Sequence, residues 1–232
     1  MSTLLISGTN TEVGKTVLSA ALLAYLQAQG KSWAIFKPLQ TGMGDREFYT
    51  QLVGNRQPPD TINALHYSFP VAPPIAAARE GREIDLKQVW QRLQQLQGQY
   101  EGVLVEGLGG LGTPVTAELT VADLARDWRL PTLLVVPVQL GAIGQTVAHV
   151  ALARQSGVQL KGLVLNCTQP DAAEAIASLA PPQLIESLTQ VPVLGILPYF
   201  PDWRSDLPIP ASLEAQWVQA VADLALEYID SF

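Results

Sequence analysis

Six short apolar runs punctuate this chain: TLLIS, SWAIF, GVLVEG, TLLVVPV, KGLVLN and VPVLGIL. Each has the length of a strand, is rich in aliphatic residues and carries almost no charge. That is the pattern of strands covered on both faces, as in a parallel sheet, rather than the alternation of a strand with one wet face. Between the runs the apolar spacing changes to three and four. Over 85–98, Leu86, Val89, Trp90, Leu93 and Leu96 fall on one helical face, and further amphipathic stretches cover 121–129, 143–156, 172–189 and 212–230. Strands alternating with helices predict an α/β fold: one domain over residues 1–232, three layers α/β/α, with a mostly parallel central sheet. The proline-rich segments RQPPD, FPVAPP and PYFPDWRSDLPIP read as loops, because proline removes a ladder donor. None has the length or composition of an interdomain linker, and the chain shows no internal repeat.

Composition narrows the setting. Apolar residues make up 48% of the 232 and charged residues 15%, against about 25% charged in an average soluble domain. So thin a charge suits a surface that is partly covered, and self-association is expected. The net charge is −7 and no run of Lys or Arg offers a track for a phosphate backbone, which argues against a nucleic-acid partner. The apolar runs fall far short of the ~20 residues of a membrane span. The first strand begins at once, leaving no room for a signal peptide. The single cysteine, Cys167, has no disulfide partner, and no Cys/His cluster suggests zinc. The expected location is the cytoplasm.

Ligands in a parallel sheet gather beyond the carboxyl ends of the strands. The first run leads into GTNTEVGKT, residues 8–16. There Gly14, Lys15 and Thr16 stand where a strand turns into a helix, and the backbone N–H groups and helix dipole can cradle phosphate. Lys15 can reach the outer phosphates and the Thr16 hydroxyl can ligate Mg²⁺. Thr9 occupies the position where the strict pattern has glycine, with Gly8 supplying turn freedom one residue earlier. The second run leads to Lys37 and Pro38, at the expected end of its strand. Lys37 would point into the same crevice as Lys15, a second cation for phosphoryl transfer. The third run ends at Glu106, beside Gly107, Gly109 and Gly110: a carboxylate near a metal, with backbone room for a ligand. Thr41 and Gly42 lie in a short loop before Asp45, which opens a helix and is open to reading as its N-cap. The later runs lead to QLGAIG, to Asn166 and Cys167, and to PYF. His66 and His149 form no pattern with a nucleophile, and Cys167 reads as a small core residue.

In order, GTNTEVGKT, KPLQTG, YSFPVAPPIAAAREG, VEGLGG, LGAIGQT, LVLN and GILPY resemble the dethiobiotin synthetases, ATP-dependent enzymes of biotin synthesis with a P-loop NTPase fold. The resemblance covers almost the whole chain, and T-x-x-x-V-G-K-T is how that family writes its phosphate loop. It implies ATP and Mg²⁺ as cofactors, and 7,8-diaminononanoate with CO2 or bicarbonate as substrates. A carbamate would form on one amine, ATP would phosphorylate it, and the other amine would displace phosphate to close the ureido ring. Such chemistry needs positioning and charge but no protein nucleophile. The resemblance assigns Glu12, Val13, Gly14, Lys15, Thr16 and Val17 to the phosphate loop, and Thr16, Asp45 and Glu106 to the metal. Lys37 and Lys15 become catalytic, Thr41 a substrate contact, and Gly107, Leu108 and Gly109 part of the nucleotide site. Asn166 would read adenine, with Cys167 beside it in the nucleotide site and Pro198, Tyr199 and Phe200 closing over the base. Gly141, Ala142, Ile143 and Gly144 would bind the substrate carboxylate across a homodimer.

Two other functions suit the same fold. A switch ATPase would need an exposed partner helix or a membrane-binding tail, whereas the amphipathic C-terminal stretch has no basic face. An amidating synthetase usually carries a glutaminase domain, for which 232 residues leave no space.

Overall fold

All six apolar runs form strands, and the two-residue period of their burial sorts the molecule into layers. The computed structural model describes residues 2–204 and 208–228. In chain order the elements are β1 (Ser2–Gly8), α1 (Lys15–Ala28), β2 (Trp33–Thr41), α2 (Asp45–Val53), α3 (Pro59–Ile62), β3 (Asn63–Tyr67), α4 (Pro73–Arg79) and α5 (Leu86–Gln99). They continue with β4 (Gly102–Gly110), α6 (Val121–Asp127), β5 (Thr132–Pro137), α7 (Ala142–Ser156), β6 (Leu160–Asn166), α8 (Ala172–Leu179), α9 (Pro182–Thr189), β7 (Val193–Leu197) and α10 (Ala211–Ala222). The strands make one sheet in the order β3-β2-β4-β1-β5-β6-β7, every neighbouring pair parallel.

Side chains alternate across this sheet. Leu4, Ile6, Ile35, Leu104, Leu133, Val135 and Val164 bury against α1, α2 and α10. Leu5, Phe36, Val103, Val105, Leu134, Val136 and Leu165 bury against α5, α6, α7 and α9 on the other face. Helix α1 is buried over most of its circumference, which its Ala- and Leu-rich sequence KTVLSAALLAYLQA permits. Among the described residues no helix is long and apolar enough to cross a membrane.

The structure departs from the sequence reading in several places. A seventh strand, β3 (NALHY), lies at the sheet edge, and its mixed burial is why no apolar run announces it. It pairs only with the second half of β2, from Lys37↔Asn63 to Thr41↔Tyr67. The first half is edged by the buried side chain of Gln57, whose amide bonds both the N–H and the C=O of Ile35, at 2.9 and 2.8 Å. Strand β2 therefore does not end near Lys37 but continues through Pro38 to Thr41. Pairing with β4 stops at Phe36↔Val105, so the missing proline N–H falls where β2 has parted from β4. Glu106 and the glycines after it likewise lie within β4 rather than beyond it. The segment 172–189 forms two helices, separated at Ala180 and Pro181. Pro59 and Pro73 begin short helices instead of loops, at a position where the absent N–H has no intrahelical partner to lose. The last amphipathic stretch ends as a helix at Ala222, followed by a 3₁₀ turn over Leu226–Tyr228; positions 229 and 230 lie outside the described residues.

Candidate active site

The phosphate loop runs from the end of β1 to the start of α1. Gly14 caps α1 with φ 96°, no side chain caps the first turn, and no acidic residue sits there, so the positive end of the helix is left to a ligand. Glu12 is also left-handed, with φ 56°. Two such residues curl the backbone into an amide-lined concavity. A side chain at Gly14 would put its Cβ 1.8 Å from Asn166 Nδ2. That amide nitrogen donates to the Val13 carbonyl at 2.9 Å, so the end of β6 straps the loop. Lys15 folds back to donate to the Asn10 carbonyl at 2.9 Å. Burial lowers its pKa to about 8, opposed by the Glu106 charge, reinforced by Lys37 and opposed again by Asp45.

Lys37 and Glu106 reach the same place by strand arithmetic. Ile35 and Leu104 are register partners facing α1 and α2. Two residues further along each strand, Lys37 and Glu106 point the same way. Lys37 Nζ lies 2.5 Å from Glu106 Oε1 and 2.6 Å from Asp45 Oδ2. The Thr16 hydroxyl lies 3.2 Å from Glu106 Oε1 and 3.4 Å from Asp45 Oδ1. The Tyr49 hydroxyl donates to the other Glu106 oxygen. Asp45 is the first residue of α2 and its N-cap is Gly44, so the carboxylate is not the cap and turns to Lys37 instead. Burial alone would discharge Lys37, but Glu106 and Asp45 overcome it and raise its pKa. Burial, then the Glu106 and Asp45 charges, hold the Tyr49 phenol protonated well above its usual range.

Two carboxylates and a hydroxyl thus converge beside the phosphate loop. Among the described residues no group of three or more His, Cys, Asp and Glu gathers to hold a metal by itself. A hard set of two carboxylates and one hydroxyl is instead what Mg²⁺ takes when substrate phosphates and water complete its shell. Lys37, lodged between both carboxylates, supplies the positive charge that makes their approach tolerable.

A cleft opens on the other side of the loop, between Glu12, Gly14 and Val17 and the ends of β6 and β7. Four of the residues that the resemblance assigns to the base, Asn166, Cys167, Tyr199 and Phe200, line it, together with Thr168 and Trp203, which sequence reasoning missed. Trp203 stands in an irregular segment with no periodic signal to mark it. Pro198 is exposed and is not among the lining residues. The Cys167 thiol is pushed up in pKa by burial, consistent with an inert wall residue. Gly107 and Leu108 are not brought to this cleft. They line a small apolar cavity on the other face of the sheet, with Pro38, Val121 and Trp128. Gly109, with φ 47°, turns the chain beside Thr113.

Thr41 is the last residue of β2, half-buried and paired with Tyr67. The 141–144 segment starts α7: Gly141 is its N-cap with φ 90°, Ala142 is buried, Ile143 half-buried and Gly144 exposed. Next to it Leu140 is 86% exposed, a large apolar side chain left in water. His66 and His149 bond backbone carbonyls of Gly42 and Gln145 and stand outside the lysine–carboxylate cluster.

Residues 2–205 match the family described as an AAA domain. The ATP-dependent dethiobiotin synthetase BioD of Gloeothece citriformis is 56% identical over 204 residues, covering 87% of this chain and 90% of that one. The protein of the same name from Gloeobacter violaceus is 44% identical over 225 residues, 97% of each chain. Among solved structures, a chain of the MinC:MinD cell division protein complex of Aquifex aeolicus aligns with a TM-score of 0.64 at 18% identity, covering 98% of this chain and 95% of that one. The septum site-determining protein MinD complexed with Mg-ADP, from Pyrococcus horikoshii, aligns at 0.63 and 18% identity, over 99% and 96%. Identities so low carry the fold alone, which is that of the P-loop NTPases.

Proposed function

Since this chain belongs to the ATP-dependent dethiobiotin synthetase family, cyclo-ligases of biotin biosynthesis, we propose that it joins CO2 to 7,8-diaminononanoate and closes the ureido ring, releasing ADP and phosphate. One amine attacks CO2 and loses a proton to solvent, giving a carbamate. A carbamate oxygen attacks the γ-phosphorus of ATP and expels ADP, giving a carbamic–phosphoric anhydride. The second amine then attacks the carbonyl carbon, phosphate leaves, and the amine proton is lost to solvent.

The observation that carries this reading is the buried cluster of Lys37, Glu106, Asp45 and Thr16 beside an uncapped phosphate loop. Lys15 and the first-turn amides of α1 hold the outer phosphates. Lys37 supplies positive charge to the transferring phosphoryl group and to the carbamate that receives it. Thr16, Asp45 and Glu106 would hold Mg²⁺, which when bound neutralises phosphate charge. Glu106 already serves Lys37, Thr16 and Tyr49, so it is poorly placed to act as a base for water. ATP should therefore survive until a carbamate arrives. Thr41 contacts the diamine end, and Asn166 with Tyr199 and Phe200 holds the base. The low charge of the chain and the exposed Leu140 support a homodimer in which the 141–144 segment of the partner subunit binds the substrate carboxylate.

Labelled bicarbonate tests the reading directly. With diaminononanoate, bicarbonate and ATP present together, mass spectrometry should find a cyclic urea carrying one labelled carbon per ADP released. Omitting either small molecule should leave ATP turnover slow. Phosphate release that ignores the diamine, with no cyclic urea, would refute the synthetase and favour a switch ATPase.

A further inference from the structure

Helix α2 touches both halves of the candidate site. Asp45, Phe48 and Tyr49 stand at helical positions i, i+3 and i+4, which share one face. Asp45 meets Lys37, and Tyr49 donates to Glu106. Between them Phe48, fully buried, meets Trp203 edge-on with ring centroids 4.8 Å apart. Trp203 is half-exposed and lines the cleft beyond the phosphate loop. It also packs on Trp217 of α10 at 5.7 Å, as does Phe200 at 6.5 Å, so the wall of the cleft has a rigid aromatic backing. One face of a nine-residue helix thus packs through Phe48 on the cleft wall and carries one carboxylate, Asp45, and the hydroxyl that bonds the other, Tyr49.

We propose that Trp203 and Phe48 are positioning residues that couple the cleft to the carboxylate pair: a base seated in the cleft fixes Trp203, Trp203 fixes Phe48, and α2 then holds Asp45, and Glu106 through Tyr49, in the arrangement that receives Mg²⁺. The inference rests on the reading above in that it takes the cleft to hold the base of ATP. Phe48 reaches neither nucleotide nor metal and acts only through its neighbours. Coupling of this kind is reciprocal: the base tightens the hold on Mg²⁺, and Mg²⁺ tightens the hold on the base.

Inorganic tripolyphosphate is the probe that separates base from phosphate. Its binding and that of ATP would be measured calorimetrically across a Mg²⁺ titration, each corrected for Mg²⁺ held by the ligand in solution. In the unaltered protein ATP should need less Mg²⁺ than tripolyphosphate for half-maximal binding, by roughly fivefold or more. Trp203→Ala should erase that difference while leaving the tripolyphosphate curve in place, and Trp203→Phe, which keeps an aromatic edge against Phe48, should restore it. Phe48→Leu should erase it too, although Phe48 is not in the cleft. Should Phe48→Leu lose the fold, as a melting curve would reveal, the Trp203 pair carries the test alone. If ATP binds more tightly than tripolyphosphate but Trp203→Ala leaves the Mg²⁺ difference intact, the coupling is wrong and the cleft reading stands. If ATP and tripolyphosphate bind alike, the cleft reading itself fails and the coupling falls with it.

Discussion

Around Lys37, charged and hydroxyl groups from four elements, α1, β2, α2 and β4, are linked by contacts of 3.4 Å or less. Around Asn166 three aromatic side chains, Tyr199, Phe200 and Trp203, dominate the wall, and an amide bonded to a backbone carbonyl ties it to the loop. The two regions share one loop and differ in what they cost to build. Burying Lys37 and Glu106 is tolerable only because each answers the other, so the cluster stands or falls as a unit. The cleft is held by packing, which degrades by degrees. Substitutions of the buried Lys37–Glu106 pair should therefore act on turnover and stability together, and those in the cleft on ATP affinity.

The sharpest test of that division is Lys37→Ala. It should lower kcat by at least ~10², as removal of one electrostatic donor does. It also strands Glu106, which is 1% exposed, without its cation, so urea unfolding should register a loss on the order of 3 kcal/mol. A variant with near-normal kcat and lowered stability would make Lys37 a structural counter-ion and nothing more.

A smaller effect is expected of Asp45→Asn. The half-saturating Mg²⁺ concentration should rise by roughly tenfold as a hard anionic ligand becomes a neutral one, with the fold retained because the side chain is partly exposed. An activity-against-Mg²⁺ curve that does not move would remove Asp45 from the metal set.

Smallest should be Asn166→Ala. It deletes a hydrogen bond to the Val13 carbonyl and a polar group from the cleft, a loss of about 1 kcal/mol and hence a KM for ATP raised roughly fivefold. Steady-state kinetics should find kcat within about twofold of the parent. A fall in kcat to match that of Lys37→Ala would mean the strap shapes the phosphate loop for chemistry, and the two regions would not be separable.

The same contrast explains what the sequence made legible. Strands buried on both faces write themselves as apolar runs, and the phosphate loop is a contiguous string, so both can be read locally. Strand β3 cannot, because an edge strand with mixed burial resembles a loop. Pro38 suggests the end of β2, and only the parting of β2 from β4 after Phe36 explains why the strand tolerates it. Lys37 and Glu106 are legible as charged residues closing apolar runs, whereas Asp45 rises above a helix cap only through the family resemblance; their convergence spans contacts up to 90 residues apart in sequence, counting Thr16 to Glu106. Tyr49 lies 57 residues from Glu106, and no local pattern ties the two together. Trp203, in a loop, had no pattern to betray it.

The strand order also sets a timetable for synthesis. β1 is made first yet sits in the middle of the sheet, where Ser2 pairs with Gly102 and Leu5 with Thr132. At roughly 5–20 residues per second, a hundred residues take about 5–20 s, during which TLLIS has emerged without either of its sheet neighbours. β4 must then enter between β2 and β1, both already made. The phosphate loop, spelled out by residue 16, waits longer still, because the amide that straps Val13 belongs to Asn166. The strapped form of the loop is therefore available to ATP only once the chain has been made through Asn166, long after the loop itself has emerged.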